Sequence, residues 1–63
     1  MAGKMIEVEG FKAFRGKMAV DLPILLECLV IEGEWLYMPD PDCWYCAGKS
    51  YPAGFCEVLE VDQ

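Results

Sequence analysis

Residues 35–56 read WLYMPDPDCWYCAGKSYPAGFC, and the reading of this stretch decides the fold. It holds six of the eight aromatic residues and three of the four cysteines of a 63-residue chain. Proline and glycine cut it into pieces of a few residues, which is strand spacing and too short for ordinary helices. Leu36 and Met38 oppose Trp35 and Tyr37, a period of two that marks a half-buried strand. Pro39–Asp42 separates that piece from Cys43–Cys46. Proline fixes φ there, and aspartate bonds backbone nearby, so the two pieces read as a hairpin.

The same period runs outward through the rest of the chain. Ile6 and Val8 alternate with Glu7 and Glu9, and Met18, Val20 and Leu22 alternate with Lys17, Ala19 and Asp21. Near the end the alternation changes phase at Val58–Leu59. Pro23–Ile31 has Asp21 as a helix N-cap candidate, but it closes in Leu-Val-Ile and a turn glycine, so it is read as strand. The expectation is one all-β domain over residues 1–63, with five strands near 4–9, 14–22, 24–32, 34–38 with 43–46, and 55–61. Short antiparallel strands close most economically into a small barrel, which also removes sheet edges.

CWYCAGKSYPAGFCEVLEV, residues 43–61, resembles the C-terminal half of an SH3 domain. Trp44-Tyr45 stand where that family has its tryptophan pair, and Gly48 where it has a glycine. Tyr51-Pro52 match the apolar–proline step, Phe55 the end of the one-turn helix, and Val58 and Leu59 the final strand. The N-terminal MIEVEGFKAF lacks the paired tyrosines of the first SH3 strand, and no long acidic loop follows it. The resemblance implies a five-stranded antiparallel SH3-like barrel. It also implies that Trp44, Pro52 and Phe55 flank a shallow groove for proline-rich peptides, whose stiff helix loses little entropy on binding.

Size and composition bear on that surface. A chain of 63 residues buries only about 60% of the surface it exposes when unfolded. With 56% of its residues hydrophobic, some apolar surface should remain outside or be covered by a second subunit, as in a homodimer. Trp35, Tyr37, Trp44, Tyr51, Pro52 and Phe55 are therefore the candidate partner-binding residues. The bland alternative is that the large rings are core and rim packing, or a cross-strand cluster of Trp35, Tyr37 and Trp44.

Four cysteines open a second possibility. Cys28, Cys43, Cys46 and Cys56 supply the number of thiolates that a closed tetrahedral zinc site uses. Against zinc stand a single CxxC, a bulky Trp-Tyr inside it, and the geometry of a strand, which points residues three apart to opposite faces. The expectation is thus no cofactor, with zinc as the alternative. A redox role would need a helix start after the CxxC, and Ala47-Gly48-Lys49-Ser50-Tyr51-Pro52 does not supply one.

The net charge of −6 divides into +2 over residues 1–17 and −8 over residues 18–63. An acidic body repels phosphate backbones, so nucleic acid is not an expected partner. An acidic inhibitor of a nucleic-acid enzyme is a third reading, though its acids are scattered singly rather than arrayed. There is no histidine, no phosphate-binding loop and no nucleophile motif, so no catalytic residue is assigned. The longest apolar run is too short to span a bilayer, and no signal peptide is recognisable, so a cytoplasmic chain with reduced thiols and no membrane partner is expected. The function expected is a non-enzymatic interaction module that binds protein through the 35–55 aromatic surface.

Overall fold

Two tight turns with left-handed backbone organise the chain. Glu9 and Gly10, at φ 51° and 87°, join β1 (Ile6–Val8) to β2 (Phe11–Leu22). Ala47 and Gly48, at φ 53° and 79°, join β4 (Cys43–Cys46) to β5 (Lys49–Pro52). Such two-residue primed turns match the right-handed twist of the strands they connect. Between these hairpins lies β3 (Glu27–Met38), reached from β2 through a one-turn 3-10 helix at Pro23–Leu25. A second 3-10 turn, Ala53–Phe55, leads into β6 (Cys56–Val61). The structure, a computed structural model, describes residues 4–62; residues 1–3 and 63 of the expected domain lie outside that range.

All pairing is antiparallel. The sheet runs β1-β2-β3-β4-β5, and β6 returns to pair with β2 beyond the end of β1. The expected all-β class is therefore observed, with differences in the strands. There are six, not five, because Lys49–Pro52 is a strand of its own. Of the two pieces expected at 24–32 and 34–38, residues 24–26 lie in the 3-10 turn and its cap, and 27–38 are one continuous strand. Gly33 does not interrupt it, since it sits opposite Gly16 in an unbroken ladder from Lys12↔Tyr37 to Leu22↔Glu27. Among the described residues no ladder joins β5 to β6 or to β1, so the sheet is open rather than a closed barrel. Only three residues of β3, Leu36–Met38, reach β4.

The core follows the alternation. Phe14, Met18 and Val20 of β2, Trp35 of β3, and Trp44 and Cys46 of β4 are buried. Tyr51 of β5 and Cys56, Val58 and Val61 of β6 pack against them. The change of phase at Val58–Leu59 is a β-bulge. The β2–β6 register runs Gly16↔Val61 and Lys17↔Glu60, then slips to Met18↔Val58, so Leu59 turns out to solvent. The bulge lets both Val58 and Val61 face inward.

Candidate functional site

The six residues singled out as partner-binding separate into three depths. Trp35 and Trp44 are buried, at 2% and 7% exposure. Trp44 sits edge-on to Phe14, centroids 5.4 Å apart at 82°, and packs on its cross-strand neighbour Tyr37 at 5.2 Å. Trp35 packs against Tyr51 at 5.7 Å. Rings this large are the cheapest way for a small chain to bury area, and they occupy the interior between the two arms of the curled sheet. The indole Nε1–H of Trp35 is buried with no hydrogen-bond partner among the described residues. Tyr37 and Tyr51 are half-buried on the flank of this core, and Pro52 and Phe55 are exposed.

Around Pro52 and Phe55 the structure adds residues outside the expected partner-binding set. Leu22, Pro23, Ile24 and Leu25 join them to form a groove of about 380 Å³ whose lining is entirely apolar. Ile24 is 95% exposed and Phe55 45%. The groove forms because two 3-10 turns meet at one end of the molecule. Pro23 opens the first, with φ suited to that position. Leu26 closes it in left-handed conformation, with its N–H bonded to the Pro23 carbonyl at 3.1 Å. The second turn is held by Ala53 N–H donating to the Asp42 carbonyl at 3.1 Å. In the sequence Ile24–Leu26 was absorbed into a strand. The signal that distinguishes it is a proline followed by three apolar residues with no polar residue to alternate with them.

Phe55 also borders a second depression of about 430 Å³, where Asp21 and Glu57 stand beside Ala19, Cys28 and Gly54. The combined surface is thus apolar at one end and acidic at the other. On the far flank, the Tyr37 hydroxyl donates to the Asp42 carboxylate at the mouth of the Pro39–Asp42 loop. That hydrogen bond, followed by burial and the negative charges of Asp42 and Cys43, raises the Tyr37 pKa above its ordinary value. Lys12 lies 5.4 Å over the Tyr37 ring.

The four cysteines are free, and Cys43 lies near Cys56. Cys28 is exposed on β3, Cys46 points into the core, and Cys43 and Cys56 are half-buried. Cys43 and Cys46 lie on opposite faces of β4, as strand geometry requires. Among the described residues no three His, Cys, Asp or Glu side chains are placed to hold a metal ion. The Cys56 thiol donates to the Pro52 carbonyl at 3.4 Å, and burial, with the nearby Cys43, raises its pKa. No helix of the described residues is long and apolar enough to cross a membrane. Comparison with protein families, with curated proteins and with solved structures finds no match to this chain.

Proposed function

We propose that the chain is a non-enzymatic interaction module of SH3-like character whose groove takes an extended, proline-containing segment of a partner protein. The observation that carries this reading is the wholly apolar groove of Leu22, Pro23, Ile24, Leu25, Pro52 and Phe55, open to solvent at one end of the sheet. The Phe55 ring beside a proline and aliphatic surface suits a stiff polyproline helix, which is ordered before it binds. Further support comes from the one-turn helix at Ala53–Phe55, ahead of the last strand, where the SH3 resemblance expects it. Asp21 and Glu57, at the adjoining depression, favour a lysine or arginine beside the apolar segment. Four free thiols suit a reducing compartment such as the cytoplasm.

In this arrangement Pro52 and Phe55 make direct contact. Tyr37 and Tyr51 support the wall, and Trp35 and Trp44 hold the sheet in shape from behind. The test is a two-dimensional NMR titration with arrayed proline-rich peptides, with and without a flanking arginine. Resonances of Ile24, Leu25 and Phe55 should shift, and Phe55→Ala should weaken binding by about 2 kcal/mol, as removal of an aromatic anchor does. Shifts located elsewhere, or binding indifferent to Phe55→Ala, would remove the groove from the account.

A further inference from the structure

The second long strand of the sheet has a free edge. β3 is paired with β2 along its whole length, but on its other side β4 reaches only Leu36–Met38. Residues 27–34 read ECLVIEGE, and all are exposed except Ile31 and Gly33, which are half-buried. Which backbone groups face outward follows from the hairpins. The two-residue Ala47–Gly48 turn makes Cys46↔Lys49 a hydrogen-bonded pair. The N–H and C=O of Tyr45 therefore point the other way, to Leu36. Alternation along β3 then directs those of Glu34, Glu32, Val30 and Cys28 to the same, unpaired side. The other end of the sheet agrees. The Glu9–Gly10 turn makes Phe11 bond to β1, so Lys12 and Phe14 bond to Tyr37 and Trp35. The Arg15 carbonyl, facing away from β3, accepts from Asp62 N–H at 2.7 Å.

We infer that this edge pairs with the same edge of a second copy, β3 antiparallel to β3 about a two-fold axis at Val30. The sequence is self-complementary in that register. Val30 meets Val30, Leu29 meets Ile31, Cys28 meets Glu32 and Glu27 meets Gly33. No acid opposes an acid. Shifting the axis by half a residue would set Glu27 against Glu34 and would leave outward-facing backbone groups opposite inward-facing ones.

Two features favour a second copy over a basic peptide from elsewhere. Of the carboxylates beside the edge, Glu34 lies opposite Arg15 and Glu32 opposite Lys17, which also pairs with Glu60 at 3.5 Å. Apart from these and Glu27, the middle of the edge is apolar. Val30 is 61% exposed and Leu29 38%, and both would be covered by the partner strand. An exposed strand edge of this length without proline or lysine is otherwise an aggregation site, and closed pairing about a dyad satisfies it. The combined sheet would run through both copies and leave the groove at Phe55 outside the dyad pairs.

The full chain should be a reversible dimer by sedimentation equilibrium, and added salt should tighten it, because two bodies of net charge −6 repel at long range. Val30→Pro tests the register directly. The Val30 N–H has no partner strand among the described residues, and proline is tolerated on an edge strand. The monomer should fold, while loss of both dyad hydrogen bonds should raise the dissociation constant at least about tenfold. Val30→Lys, which sets two cations face to face, should do the same. In the unsubstituted chain, amide exchange at Cys28, Val30 and Glu32 should slow as concentration rises, while Phe55→Ala should leave the dimer intact. A chain that stays monomeric into the millimolar range, or a dimer unaffected by both Val30 variants, would overturn the pairing.

Discussion

Gly16 is the position at which a single methyl group should cost this domain its fold. It lies in β2 opposite Val61 of β6, beside the bulge that turns Leu59 outward. A Cβ placed on Gly16 would stand 1.9 Å from the Glu60 carbonyl oxygen, 2.9 Å from its carbon and 3.0 Å from the Val61 Cα. All three are backbone atoms, so no side-chain rotation relieves the overlap. To reach ordinary contact the oxygen must recede from 1.9 Å to about 3.4 Å. A shift of that size breaks neighbouring ladder bonds, among them the 2.7 Å bond from Asp62 N–H to the Arg15 carbonyl. It also lifts Val58 and Val61 from the core. Overpacking with loss of at least one strand hydrogen bond should cost about 3 kcal/mol or more. A domain of this size has only about 3–5 kcal/mol to lose. Gly16→Ala should therefore be largely unfolded at 25 °C, read by urea titration of tryptophan fluorescence. Gly54→Ala is the control, because a Cβ there meets nothing within 4 Å. If Gly16→Ala unfolds within about 0.5 kcal/mol of the parent, β6 does not approach β2 as described.

Trp44→Ala should also unfold the chain, losing about 3–5 kcal/mol for a buried ring packed on Phe14 and Tyr37, so a folded variant by circular dichroism would contradict its burial. Tyr37 should ionise above the ordinary tyrosine pKa of about 10, followed by absorbance near 295 nm, and Asp42→Gly, which keeps the left-handed turn, should bring it down. A pKa raised in the folded state favours the protonated phenol. That stabilisation is fully present below the unfolded pKa and is lost as pH rises through the folded one, so urea midpoints should begin to fall above about pH 10. Among the thiols, exposed Cys28 should react first with a maleimide and buried Cys46 last. Cys56 should lag behind Cys28 because its raised pKa leaves less thiolate, and mass mapping that finds Cys46 labelled first would refute this placement.

How much of this was legible depended on whether a residue's role is set by its neighbours in sequence. Alternation put Met18 and Val20 on one face of a strand, because side chains of a strand point to opposite sides whatever the strand pairs with, and that face is the buried one. The phase change at Val58–Leu59 is legible for the same reason, and only the pairing with β2 shows it to be a bulge. Gly33, by contrast, reads as a breaker, and only its position opposite Gly16 shows a strand passing through it unbroken. Ile24–Leu26 read as strand residues, and only the left-handed Leu26 and the meeting of two 3-10 turns make them a groove wall.

The all-β class, the alternation of faces along the strands and the end of the chain where the aromatic residues gather are legible in the sequence alone. These are local matters, set by period and by turn-forming residues. The tertiary structure decided that Trp35 and Trp44 lie inside while Pro52 and Phe55 lie outside. It placed Cys28 on an exposed strand and Cys46 in the core while Cys43 and Cys56 come near each other, and it ended β4 too soon to cover β3. Each of these depends on pairing between distant segments and on the curl of the sheet, which no local pattern of residues records.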